Sequence, residues 1–142
     1  MGAVPLHYVE LRAFCYATED EPRVVRALET LLPESAAVER EETSGHHGDR
    51  IVVLTARVDT ADAIRHVLDR LRSLEDLESL LAELDDRVDD DCSLHVSLDK
   101  QAAYRERVRR GRGIQLRAKV EAYPAKRPAA VENARAALSG DA

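Results

Sequence analysis

The chain is poor in several residue types, and each shortage excludes a class of protein. Its 142 residues include two cysteines, too few for a disulfide framework, and we expect Cys15 and Cys92 to be buried thiols in a reducing cytoplasm. No run approaches the roughly 18 apolar residues of a membrane helix, and no basic stretch followed by an apolar one opens the chain. The sequence therefore indicates one soluble, cytoplasmic domain over residues 1–142.

Lysine and aromatic residues are also scarce. Arginine is abundant, but there are few lysines, no tryptophan and a single phenylalanine, Phe14. Acidic residues outnumber basic ones by 27 to 21, which gives a net charge of −6. This usage is typical of proteins from salt-loving archaea, in which carboxylates hold water when salt screens their repulsion. The acidity therefore does not exclude a nucleic-acid partner.

The charge is unevenly distributed along the chain. Residues 1–98 carry 10 basic and 22 acidic side chains, whereas residues 99–127 carry 10 basic and 3 acidic ones. Such asymmetry indicates that one surface of the domain meets an anion.

Alternating apolar and polar residues predict four strands of one sheet, at residues 6–17, 50–58, 92–98 and 114–122. Residues 50–58 are the most strand-like run because they are dense in β-branched residues, and the alternation of Cys92, Leu94, Val96 and Leu98 with polar residues motivates the prediction of a single sheet. A weaker, polar strand is predicted at residues 36–43.

Helical spacing and capping signals predict the remaining elements. Thr18 opens a capping-box pattern before a helix that ends at Pro33, and Asp59 or Thr60 starts a helical region that breaks near Ser73. The remaining expectations are an acidic turn at 85–91, a short helix at 100–110 and a shallowly packed, alanine-rich helix at 128–138.

The predicted order is β-α-β-β-α-α-β-α-β-α. This order indicates an α+β fold, a two-layer α/β sandwich with a mostly antiparallel sheet and its helices on one face.

The first candidate site is the loop Gly45-His46-His47-Gly48-Asp49. Glycines at these positions are typical of a turn between two strands. Two other interpretations stay open: the adjacent imidazoles could bind a transition metal, or the loop could offer imidazoles and backbone amides to a phosphate. The ligand count is low, so we expect no metal there.

The second candidate is Asp99-Lys100-Gln101, which follows a predicted strand. Asp99 is a good N-cap residue, and a plain helix cap is the simpler interpretation. The alternative is that the first helical turn, with Lys100 and Gln101, attracts an anion.

The third candidate is the basic block of residues 105–127. Guanidinium groups suit phosphate contacts, and Arg117 and Lys119 point to the same side of their predicted strand. We expect Lys100, Arg117 and Lys119 to share an exposed edge of the sheet. The alternative is a solvated surface that pairs with the acidic half. The aspartates of residues 85–91 lack the spacing of a calcium loop.

Three segments in this order resemble the archaeal family of predicted RNA-binding, exosome-associated proteins: LHYVELRAFCYATEDEPRVVRAL, SGHHGDRI and LHVSLDKQAA. The resemblance covers about residues 5–122 and leaves 123–142 as a C-terminal helical extension. It implies a fold like that of the fifth universal protein of the large ribosomal subunit. It also implies RNA contacts near Thr18–Asp20, Gly45–Asp49 and Asp99–Gln101. The chain has Asp49 and Arg50 where the family usually has Asn and Pro.

The primary hypothesis is a non-catalytic RNA-binding module without a cofactor, accessory to RNA processing or exosome-linked degradation. Its partners would be RNA and exosome- or ribosome-related proteins, with the oligomeric state, a dimer included, left open. A second hypothesis is a protein–protein adaptor that docks through its acidic half. A third is a metal-dependent hydrolase built on His46, His47 and nearby aspartates.

Overall fold

The computed structural model describes residues 4–140, and its elements confirm the predicted α+β fold. Within that range no helix has the length and the apolar character needed to cross a bilayer. In chain order the elements are β1 (Leu6–Tyr16), α1 (Glu21–Leu31), β2 (Glu39–Ser44), β3 (Arg50–Val58), α2 (Ala61–Arg72), α3 (Leu77–Ala82), α4 (Leu84–Arg87), β4 (Ser93–Asp99), α5 (Lys100–Tyr104), β5 (Gly113–Val120) and α6 (Arg127–Ser139).

The five strands form one antiparallel sheet in the order β2-β3-β1-β5-β4. In the middle of the sheet Leu11 pairs with Ala56 on one side and Leu116 on the other, and all three are buried. Successive strand residues point to opposite faces. One alternate set is packed under the helices and the other keeps contact with solvent, so the helices lie on one face, as predicted. The solvent-facing set is called the open face below.

The two edges of the sheet differ. The β4 edge meets two isolated bridges, Val88 with Leu94 and Arg110 with Leu98. The β2 edge has six exposed residues, glutamates among them. The β4 edge is therefore partly paired, while β2 presents a charged border.

A register irregularity near the start of β1 changes the predicted orientation of Leu6. Simple alternation places Leu6 on the same side as Tyr8. The register shifts between these two residues, so Leu6 turns into the core and is 5% exposed. A strand that gains one residue against its neighbour reverses its side chains beyond that point.

The predicted capping box at Thr18 is wrong. Helix α1 begins at Glu21 with Asp20 as its N-cap, and no side-chain cap bond forms. The carboxylate of Glu19 instead accepts a hydrogen bond from the Tyr16 amide at 3.1 Å. The turn is therefore fastened to the end of β1 rather than to the helix.

The break near Ser73 is confirmed, and Thr60, one of the two predicted start residues, caps α2 by accepting from the Ala63 amide. One local detail differs from the prediction. Residues 85–87, predicted as part of an acidic turn, belong to α4. Buried Leu84 holds this helical turn in the core, which local charge patterns do not reveal.

The helix predicted at 100–110 is much shorter. It ends at Tyr104, Glu106 has a positive φ of 63°, and the chain then returns along β4. The Asp99 amide donates to the Arg109 carbonyl at 2.8 Å. Residues 105–107 and 109 are all exposed and charged, so no apolar stripe favours continuing the helix over this return.

The expectation that the C-terminal helix packs shallowly is wrong. Ala130, Ala134 and Ala137 of α6 are at most 1% exposed, and Leu138 is equally buried. The Arg72 guanidinium of α2 donates to the Ala137 carbonyl at 2.7 Å. Small side chains let the helix approach its neighbours closely, so alanine contributes here through proximity rather than through area.

Candidate nucleic-acid interface

Three of the segments singled out in the sequence meet at one end of the sheet. Tyr16 at the end of β1 pairs with Ile51, just after the 45–49 loop. Asp99 at the end of β4 pairs with Gly113 at the start of β5, and Ile114 pairs with Ala13 of β1. The 17–20 turn, the 45–49 loop and residues 99–101 therefore share this end, which we call the loop end.

The 45–49 loop is the tight hairpin turn between β2 and β3. The Gly45 amide donates to the Asp49 carbonyl at 2.6 Å, and Gly48 has a φ of 81°. Glycine adopts this left-handed conformation without steric cost. The exposed rings of His46 and His47 lie edge to face, 5.1 Å apart.

Lys100 fastens the loop end together instead of reaching into solvent. Its side chain is 12% exposed, and its ammonium lies 2.6 Å from the Glu19 carboxylate. It also donates to the Phe14 carbonyl at 2.9 Å. The stem passes over Gly113, where an added Cβ would lie 2.5 Å from the Lys100 Cβ. Only a glycine at position 113 leaves room for the Lys100 stem. We call the bonds from the Lys100 ammonium to Glu19 and to the Phe14 carbonyl the Lys100 latch.

Asp99 acts as the plain helix cap that the sequence allowed. Its carboxylate accepts from the Gln101 amide at 2.9 Å and from the Ala102 amide at 3.3 Å. The Lys100 amide donates to the Arg112 carbonyl at 2.9 Å. The first-turn amides are thus already bonded within the protein, and the alternative of an anion held by them finds no support.

A cleft of about 290 Å³ lies beside the Lys100 latch. Arg23 borders it, with its guanidinium 5.1 Å from the Tyr104 ring centroid and 3.6 Å from the Asp20 carboxylate. Both signs of charge line the cleft, so it is not a strongly cationic pocket.

Arg117 and Lys119 do not share an exposed edge with Lys100, contrary to prediction. Both lie on β5, an inner strand, and their side chains are on the open face. Arg117 stands between Glu10 of β1 and His95 of β4. Since Arg117 is four residues beyond Gly113, it lies about 13 Å from the loop end. The predicted site residues therefore form two groups, one at the loop end and one on the open face.

The open face carries further cations that the sequence analysis did not select. Arg12 is 51% exposed on β1, and Arg57 of β3 lies over the Tyr8 ring at 3.8 Å from its centroid. Acidic groups share this face. Glu10 is 24% exposed and lies 3.7 Å from Arg12. Glu39 and Glu41 of the edge strand β2 pair with the outward residues Thr55 and Val53 of β3. The alternation of β1 already indicated that Arg12 points away from the core. Arg57 could be placed near it only once β3 was known to be the neighbouring strand.

Other members of the basic block are bonded to groups of the protein itself, and one of them, Lys119, is bonded in this way while its side chain lies on the open face. Arg110 donates to Asp76 at 2.7 Å and to Glu83 at 2.8 Å. Hydrogen bonds from Arg110 and Arg87 lower the pKa of Glu83 to about 2. Lys119 donates to the Asp91 carbonyl. Pairing with the acidic half thus accounts for part of the block, whereas Arg117 has no ion-pair partner among residues 4–140.

The structure offers little to a metal ion. Across residues 4–140, no three His, Cys, Asp or Glu side chains form a group that could hold one. Cys15 and Cys92 are free and buried, as expected, and burial raises the pKa of the Cys15 thiol. A buried thiol of raised pKa is a poor nucleophile and a poor ligand.

Comparison with known proteins decides the family. A family model described as RNA binding matches residues 8–120, which run from the first strand to the last. The chain belongs to this RNA-binding family. The match includes the 45–49 loop, residues 99–101 and the whole cationic part of the open face.

Archaeal relatives of this RNA-binding family resemble the chain over nearly its full length. An RNA-binding protein of Pyrococcus abyssi is 37% identical, over 99% of this chain and 98% of the relative. A DUF54 protein of Methanothermobacter thermautotrophicus has 39% identity and a TM-score of 0.77, over 94% of this chain and 98% of the other. A DUF54 protein of Archaeoglobus fulgidus has 30% identity and a TM-score of 0.83, over 93% and 99%.

Proposed function

We propose that this chain is a non-catalytic RNA-binding protein whose main contact surface is the open face of the sheet. The observation that carries the proposal is the cluster of Arg12, Arg57, Arg117 and Lys119 on one uncovered face of a protein with a net charge of −6. Cations gathered on one face attract a polyanion even when the whole molecule is acidic. The family match and the Pyrococcus relative support RNA as that polyanion.

The loop end supports the open face in this proposal. The Lys100 latch holds the 17–20 turn against β1, and the exposed histidines of the 45–49 loop extend beyond Tyr16. Charged or neutral imidazoles can hydrogen-bond phosphate oxygens or base edges. Lys100 itself acts as a positioning residue, because its ammonium is already bonded to Glu19.

The proposal extends to an accessory, cytoplasmic role in RNA processing or exosome-linked degradation, and to a fold related to the fifth universal protein of the large ribosomal subunit. Both extensions rest on the resemblance of the three sequence segments. Co-purification of the tagged chain with exosome core subunits, compared with a ribosomal fraction, tests the first.

A titration with fluorescent RNA at several salt concentrations tests RNA binding at the open face. We expect Arg57→Ala combined with Arg117→Ala to weaken binding to different RNAs alike. The slope of log affinity against log salt concentration should become less steep by roughly one to two units. Each phosphate contact that is lost reduces the number of counterions released on binding.

The matched control removes two exposed arginines from the helix layer, Arg26→Ala with Arg70→Ala. This control makes the same change in net charge away from the open face. Equal weakening by both pairs would show general electrostatics rather than a site on the open face. Absence of RNA binding by the unmodified protein at low salt would favour the adaptor hypothesis.

A further inference from the structure

The open face has an aromatic half as well as a cationic half. Phe14 and Tyr16 lie on it at successive outward positions of β1, and Tyr16 is 51% exposed. On β3 their neighbours are Val53, which pairs with Phe14, and Ile51, which pairs with Tyr16. A partly exposed apolar and aromatic patch thus lies next to the loop end.

The cationic half continues along the same strand. From Tyr16 to Tyr8 the face runs eight residues, or about 26 Å. Arg12 lies midway, and Arg57 and Arg117 flank Glu10 on either side of β1. The inner strands therefore form a track with aromatic rings at one end and guanidinium groups at the other.

We propose that the open face binds single-stranded RNA, with bases stacked at Phe14 and Tyr16 and phosphates following the arginines toward Lys119. This inference rests on the proposed function and adds the kind of RNA that is bound. Every base has a π face that can stack on an exposed ring, whereas a duplex buries those faces and offers phosphates and 2′-hydroxyls. Aromatic rings beside a row of cations can therefore stack on the bases of an unpaired strand, whereas a duplex offers them no base face.

The test compares a fluorescent oligonucleotide of about twelve unpaired nucleotides with the same sequence annealed to its complement. We expect the unpaired strand to bind more tightly. Tyr16→Ala should weaken its binding roughly 5- to 150-fold, the range found when a stacking ring is removed, and should leave duplex binding nearly unchanged. Tyr16→Phe keeps the ring and should bind like the unmodified protein.

Tyr123→Ala is the matched control, because the Tyr123 side chain is fully exposed in the connection after β5. Thermal melting of each variant establishes that the fold is intact. Equal or tighter binding of the duplex, or no loss with folded Tyr16→Ala, overturns the single-strand inference while RNA binding itself stands. If neither RNA binds at low salt, the proposed function and this inference both fail.

Discussion

The two faces of the sheet are made by the same strands and have opposite roles. On β5, Leu116 is 1% exposed under the helices, while its neighbour Arg117 is partly exposed on the open face. The covered face contributes most of the hydrophobic stabilisation, because apolar area removed from water is the dominant favourable contribution to folding. The open face contributes rings and charges that remain accessible. Alternation thus lets one strand serve stability and recognition at neighbouring positions.

The largest effect is expected from a substitution on the covered face. Leu116→Ala should lower the free energy of unfolding by about 2–5 kcal/mol, through lost burial and a residual cavity. Arg117→Ala should change it by less than about 0.5 kcal/mol. Urea denaturation of both variants measures the difference, and similar losses would show that the open face is also structural.

A smaller effect is expected at the loop end, where Gly113 makes room for the Lys100 latch. Gly113 has a φ of 112°, so Gly113→Ala combines backbone strain with a steric clash. It should cost roughly 2–4 kcal/mol.

Gly48→Ala is the control for this second prediction. Gly48 also has a positive φ, but an added Cβ would meet nothing within 4 Å. It should cost roughly 1 kcal/mol. Thermal unfolding compares the two variants. Equal losses of stability would mean that the clash with the Lys100 stem adds nothing to the cost of backbone strain.

The smallest effect on stability is expected at Glu83, whose carboxylate accepts hydrogen bonds from Arg110 and Arg87. The pKa of Glu83 lies at about 2 in the folded protein, below its ordinary value of 4.5. The stability that follows from this difference is fully present above about pH 4.5 and is lost as the pH falls toward 2. We expect the melting temperature of Glu83→Gln to lie below that of the unmodified protein at pH 6. A gap that persists at pH 2 would contradict the ion-pair explanation.

The sheet was predictable because alternation is a local property. The strand at 50–58 is confirmed at both ends, and the alternation from Cys92 to Leu98 identifies the buried side of β4. The only local mark of the end of α5 at Tyr104 is the exposed, charged run that follows it, and the return of the chain along β4 depends on a hydrogen bond between Asp99 and Arg109. The depth of α6 likewise depends on a neighbouring helix that comes close.

The candidate site was less predictable than the fold. Lys100 looked available for phosphate, but its partner Glu19 lies 81 positions earlier in the chain. Arg117 was selected correctly as an outward-facing cation, although on an inner strand rather than an edge. Strand order and ion pairing are tertiary properties, and both decide which cations remain free.

The charged border formed by β2 affects how the protein behaves among its own copies. An unpaired strand edge invites further strands, and repeated addition leads to polymerisation. Glu39, Glu41 and Glu42 occupy this border, with Arg40 bonded to Glu21 and Glu42. A second β2 laid alongside would bring like charges together at several positions, which disfavours pairing. The border therefore opposes growth of the sheet from one molecule to the next in a crowded solution.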